Sequence, residues 1–183
     1  MLKNCRENQE MKNILIVGGS GMLRGTCLSL NQLGYFVTVI GRERSKLENL
    51  QRACVNPERM SLFAVDYRKT TAFQEILQHL QETTPLSAMI LWIRTDAVET
   101  LHMCLEVGVD TLHIRGIAGY KEPWIEEKWM NTYRRVVLGY KREKGSSRWL
   151  TNAEIAEGVQ QAYLSKQNLT YIGEVEPYDQ KPQ

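Results

Sequence analysis

Hydrophobic and polar positions along this chain follow two alternating rhythms. Residues 13–18 (NILIVG) form a short apolar run ending in glycine, the pattern of a strand buried on both faces. Helical periodicity follows over 22–33, and Gly34 is a natural stop. Residues 35–40 (YFVTVI) are β-branched and aromatic and read as a second strand. The pattern then repeats: helix 45–54, strand 60–65, helix 70–81, strand 86–93, helix 96–107 and strand 110–115. In the helix over 70–81, Phe73, Ile76, Leu77 and Leu80 share one face. Two capping boxes are expected, Ser45 with Glu48 and Thr151 with Glu154.

The rhythm breaks over 116–130, where glycines, a proline and two tryptophans crowd together. A sixth strand over 132–140, a basic loop over 141–148, a helix over 151–165 and a last strand over 168–175 complete the reading. Strands separated by helices predict βαβ units, right-handed crossovers and a mostly parallel, doubly wound sheet. The expected class is α/β with about seven strands in three layers. Residues 12–176 form one domain, between a loose extension over 1–11 and a polar tail over 177–183. Ligands of such sheets bind at the carboxyl ends of the strands.

The sharpest chemical signal sits where the first strand meets the first helix: Gly18, Gly19, Ser20, Gly21, Met22, Leu23, Arg24 and Gly25. A tight turn needs glycine dihedrals, and a pyrophosphate needs backbone without a Cβ in its way. The helix N-terminus adds unpaired N–H groups and partial positive charge. Two registers of the motif are open. Gly18 and Gly21 read as G-x-x-G with Arg24 in the third place, and Gly19, Gly21 and Gly25 read as G-x-G-x-x-x-G. This turn in this place predicts a Rossmann-type dinucleotide-binding domain.

The end of the second strand indicates which dinucleotide. NAD-binding domains place a carboxylate there for the ribose hydroxyls. Here the run is Gly41-Arg42-Glu43-Arg44-Ser45. A guanidinium suits a 2′-phosphate, so Arg42 and Arg44 point to NADP(H) rather than NAD(H). Glu43 is the rival, fit to serve a ribose if the strand ends one residue later. Asp66 and Tyr67 end the third strand, where Asp66 either borders the adenine or caps the next helix.

Composition narrows the field. The chain has 183 residues, a hydrophobic share of 43%, a charged share of 24% and a net charge of +2. That balance is ordinary for a globular domain and gives no reason to expect a nucleic-acid partner. No apolar run approaches the ~20 residues that span a bilayer, so no membrane partner is expected. Cys5, Cys27, Cys54 and Cys104 form no C-x-x-C pair, and His79, His102 and His113 show no ligand spacing. No metal is expected, and free thiols fit a reducing cytoplasm. Cys27 and Cys104 read as small buried hydrophobes.

The order of GGSGMLRG, GRERSKLENL, AVDY and a fourth strand resembles the short-chain dehydrogenase/reductase superfamily over 13–93. The resemblance implies that the first stretch holds pyrophosphate, that Arg42 holds a 2′-phosphate and that Asp66 borders adenine. It also implies oxidoreductase chemistry on a small carbonyl or alcohol, and a homodimer. The catalytic half departs from the family. Leu91-Trp92-Ile93-Arg94 stands in place of Asn-Asn-Ala-Gly, and His113-Ile114-Arg115-Gly116 stands where a serine is usual. Tyr120 and Lys121 do not have the Tyr-x-x-x-Lys spacing. Tyr140 and Lys144 do, but they follow a strand rather than lying on the family's helix. His113, Arg94 and Thr95 are weaker candidates for contact with cofactor or substrate. The general acid is left unassigned. The rival function is a non-catalytic NADP(H)-binding sensor or partner-binding module, and a third is a nucleoside sugar in the dinucleotide's place.

Overall fold

The first strand sets the architecture. All five residues of β1 (Asn13–Val17) are buried, because the strand is central and covered on both faces. β1 pairs in parallel with β2 (Phe36–Gly41) on one side and β4 (Ala88–Leu91) on the other. β3 (Met60–Ala64) flanks β2, while β5 (Asp110–Gly116), β6 (Tyr133–Leu138) and β9 (Leu169–Ile172) extend the other side. The order β3-β2-β1-β4-β5-β6-β9 is parallel throughout, as the doubly wound reading requires. This computed structural model describes residues 12–119, 129–143 and 145–182. The expected extension over 1–11, together with Cys5, Tyr120, Lys121, Trp124 and Lys144, lies outside the described residues.

Side-chain alternation sorts the strands onto two cores. Ile14, Ile16, Val37 and Val39 face Cys27 and Leu30 of α1 (Arg24–Gln32), Leu23 just before it, and Leu47 and Leu50 of α2 (Arg44–Ala53). Leu15, Val17, Met89 and Leu91 face α3 (Thr70–Thr83) and α4 (Val98–Glu106) on the other side.

The last helix, α5 (Asn152–Ser165), joins the first core: its Ile155, Val159 and Tyr163 lie with Cys27 and Leu30. This corrects the expectation of uniformly right-handed crossovers. The path β1–α1–β2 moves toward the β3 edge, and β6–α5–β9 moves toward the opposite edge, yet both helices cover one face. Two parallel crossovers on one face that run in opposite directions have opposite hands. The connection can change face because it carries a hairpin, β7 (Tyr140–Glu143) with β8 (Ser146–Trp149), past the carboxyl end of β6. Residues 140–143 and 146–149 therefore pair as strands where basic composition had suggested a loop over 141–148, and Gly145 has φ +84°.

One expected cap is present and one is not. Thr151 Oγ1 accepts from the Glu154 N–H at 3.2 Å, and Glu154 accepts from the Thr151 N–H at 2.8 Å. At α2 the helix begins at Arg44, so Ser45 already lies inside it and caps nothing. Beyond β9, Glu174 pairs with Tyr140 across an isolated antiparallel bridge, and residues 178–180 form a 3-10 turn. Among the described residues no helix is long and apolar enough to cross a membrane.

Candidate functional site

Strand order reverses between β1 and β4, and the glycine turn stands at that point. Gly18 adopts φ +84°, and its N–H donates to the Ile40 carbonyl at 2.9 Å, tying the turn to β2. A Cβ there would lie 3.2 Å from Trp92 Cβ, so Gly18 answers both the turn and the neighbouring strand. Gly21 is exposed, and a Cβ on it would meet only the Gly18 carbonyl, at 4.0 Å. That is the open approach a diphosphate needs. Gly25 serves another purpose: a Cβ on it would sit 2.6 Å from Ala156 Cβ, where α1 crosses α5. Neither motif register survives intact. The turn, the open approach and the close packing fall to Gly18, Gly21 and Gly25, a spacing that neither register predicts.

The rest of the stretch divides the same way. Gly19 is buried, and a Cβ on it would meet Cys27 Sγ at 2.6 Å and Val39 Cγ1 at 2.7 Å. Leu23 is fully buried and Met22 packs on the same core, so the side chains of these two expected contacts face inward. Ser20 and Arg24 keep solvent-facing surface. Ser20 Oγ lies against the end of β2, 2.6 Å from where a Gly41 Cβ would be.

Arg42 and Arg44 are exposed at the end of β2 and the start of α2. Neither has an ion-pair partner among the described residues, whereas Glu43 between them is paired with Lys46 at 2.7 Å. At the end of β3, Asp66 Oδ1 accepts from the Arg68 N–H at 3.1 Å. α3 begins after Lys69, so Asp66 is not its cap. Tyr67 bridges to the segment after β4 and to α4: its hydroxyl accepts from the Arg94 N–H at 3.4 Å, and its carbonyl accepts from Thr100 Oγ1 at 2.7 Å. The carboxyl ends of β1, β2 and β3 thus bring Gly21, Ser20, Arg42 and Asp66 to one edge.

The weaker candidates are placed differently. His113 is buried, with Nδ1 2.9 Å from the Tyr133 hydroxyl and Nε2 3.2 Å from the Ile93 carbonyl. A carbonyl only accepts, so Nε2 carries the proton, Nδ1 accepts and Tyr133 donates. Burial, reinforced by the charges of Arg115 and Arg135, pulls the His113 pKa down to about 4. Burial likewise raises the Tyr133 phenol to about 12. His113 is therefore a neutral, buried group with both ring nitrogens hydrogen-bonded within the fold. Tyr140 is fully buried and donates to the Pro177 carbonyl at 2.7 Å, so its phenol is committed within the fold. Arg94 is exposed and lies 3.9 Å from Asp96, and Thr95 opens a 3-10 turn without capping it.

Two further residues lie at this edge. Trp92 hydrogen-bonds the Val17 carbonyl through its N–H at 3.1 Å and stands beside Gly18. Cys27 reads from its spacing to Leu23 and Leu30 as a buried helix position, but nothing local shows that it lies under the turn. Among the described residues no cluster of His, Cys, Asp or Glu is arranged to hold a metal.

No protein-family description matches the chain, and no curated protein does. Solved structures match over most of its length. A short-chain dehydrogenase from Bacillus anthracis str. 'Ames Ancestor' is 15% identical, covers 89% of this chain and 95% of its own, and superimposes with a TM-score of 0.67. A short-chain dehydrogenase/reductase from Brucella melitensis is 11% identical over 90% of this chain and 95% of its own, with a TM-score of 0.68. ElxO, solved with NADP bound, is 13% identical over 89% and 97%, with a TM-score of 0.65. With its parallel seven-stranded sheet, the chain has the fold of the short-chain dehydrogenases/reductases.

Proposed function

We propose that this protein binds NADP(H) at the carboxyl edge of β1, β2 and β3 and works as an oxidoreductase on a small carbonyl or alcohol. One observation carries the cofactor reading. Among the described residues Arg42 and Arg44, at the end of β2 and the start of α2, have no ion-pair partner, while Glu43, the rival for a ribose, is paired with Lys46. Two free guanidiniums at this place suit a phosphate dianion better than a neutral diol. Gly21 leaves room for the diphosphate, and the start of α1 presents N–H groups and Arg24 to it. Asp66, at the end of β3, would accept from an adenine amine. ElxO, which shares the fold, has been solved with NADP and with NADPH bound.

When bound, the cofactor supplies the hydride. This chain's residues would hold its phosphates and select the 2′-phosphate, and the carboxyl ends of β4 and β5 would be left for its reactive ring. The proton donor is not His113 or Tyr140, whose polar atoms are engaged inside the fold.

Calorimetric titration with NADPH and NADH, on the wild type and on Arg42→Ala, tests the reading. A preference for NADPH that collapses by about tenfold or more in the variant supports it. Equal affinity for both nucleotides, or none for either, removes it. Oxidation of bound NADPH by a panel of aldehydes and ketones separates an enzyme from a binding module.

A further inference from the structure

The thiol of Cys27, fully buried on α1, donates to the Gly19 carbonyl at 3.5 Å. That distance is normal for a sulfur donor. Burial pushes the thiol pKa far up, so the group keeps its proton. The contact explains why residue 19 is glycine, since any Cβ there would occupy the space of the sulfur and of Val39.

The direction of this bond has a consequence for the next residue. In a trans peptide the C=O and the following N–H point opposite ways. A Gly19 carbonyl drawn inward to Cys27 turns the Ser20 N–H outward, toward the side where Gly21 is open. Among the described residues the Ser20 N–H has no acceptor, nor has the Gly19 N–H before it, whereas the Gly18 and Gly21 N–H groups are bonded within the fold. An unpaired backbone donor in a tight turn is suited to an anionic oxygen.

We propose that Cys27 is a positioning residue for the dinucleotide site: its thiol fixes the Gly19–Ser20 peptide so that the Ser20 N–H is presented to the diphosphate. The proposal rests on the NADP(H) reading. It separates two roles for one side chain, a hydrogen-bond donor under the turn and a filler of core volume.

Three substitutions distinguish those roles. Cys27→Ala removes donor and volume, Cys27→Val keeps volume without a donor, and Cys27→Ser keeps a donor with less volume. NADPH affinity is measured by calorimetry, with thermal unfolding recorded in parallel. The expected result is about five- to twentyfold weaker binding in Ala and Val and a smaller loss in Ser, whatever the order of their melting temperatures. Wild-type affinity in Ala or in Val overturns the proposal, as does an equal loss in all three.

A second measurement needs no ligand. In 15N-labelled protein, the Ser20 amide resonance is expected to shift in Ala and Val and to stay near its wild-type position in Ser. A Ser20 resonance unmoved in Ala overturns the proposal by itself. If the wild type binds no NADPH while the amide behaves as expected, the cofactor reading fails and the peptide-setting role of Cys27 stands.

Discussion

Arg134 on β6 grips Asp110 on β5 with two parallel hydrogen bonds, Nε to Oδ1 at 2.7 Å and Nη2 to Oδ2 at 2.9 Å. Nη1 of the same guanidinium donates to the Ala162 carbonyl at 2.9 Å, at the last turn of α5. Lys166, in the left-handed conformation just past that helix, adds a bond to Asp110. One buried arginine therefore ties the amino ends of two strands to the end of the helix with the reversed crossover. It satisfies helix carbonyls that the helix itself cannot.

Removing Asp110 strands that guanidinium, which is 5% exposed. Asp110→Ala is expected to cost about 3–5 kcal/mol, the range for breaking one side of a buried pair. Urea denaturation reads this as a lower midpoint with an unchanged slope. A loss below about 1 kcal/mol would show that solvent reaches Arg134.

Stability is expected to fall on the acid side in two stages. His113 is held neutral by burial, with a pKa of about 4 against an ordinary 6.5. The unfolded chain takes a proton at 6.5 that the folded chain refuses until about 4, so stability is lost as pH falls through that window and then levels. The loss is about 3 kcal/mol. Burial acts to raise the Asp110 carboxyl, but the bonds from Arg134 and Lys166 outweigh it and hold it below its usual range. Its contribution is present above the unfolded carboxylate pKa and disappears as pH falls further. Denaturation of wild type and His113→Gln from pH 7.5 to 4 checks the first stage. The variant is expected to be weaker at pH 7.5 and to depend less on pH between 6.5 and 4.

The glycines of the turn are expected to separate stability from binding. Gly25→Ala presses a methyl against Ala156 and is expected to cost about 1–3 kcal/mol, much of it recovered in the double variant with Ala156→Gly. Gly21→Ala meets open space, so its melting temperature is expected to stay within a few degrees of wild type, while NADPH affinity falls about tenfold. A Gly21→Ala protein that binds as wild type would place the phosphates elsewhere.

Tyr140→Phe loses the bond to the Pro177 carbonyl. The expected cost is about 1 kcal/mol of stability, with cofactor binding and any turnover unchanged. A variant that folds but loses turnover would restore Tyr140 as a proton donor.

Much of this molecule is local and therefore readable in order along the chain. Strand alternation, the period of α3, the Thr151–Glu154 box and the glycine turn after β1 all depend on residues within a few positions of one another. Arg42 at the end of β2 is legible for the same reason: strand length fixes where the strand ends, and the residue after it stands at the carboxyl edge of the sheet. The parallel, doubly wound class follows from the same alternation, because apolar runs with helices between them have few ways to be buried. The Ser45 box failed because a capping pattern does not say where a helix begins, and α2 started one residue sooner.

What pattern could not supply are contacts between residues far apart in the chain. Gly25 is glycine because Ala156 lies against it, and Gly19 because Cys27 and Val39 fill the space of a Cβ. The face taken by α5 follows from packing against α1 and from a hairpin able to carry the chain past β6. His113 and Tyr140 look like chemistry in sequence and are buried and hydrogen-bonded in space, since burial and committed hydrogen bonds are properties of surroundings that the chain creates only by folding. Periodicity encodes which side of an element is apolar; the partner that covers that side is chosen by close packing across the whole domain.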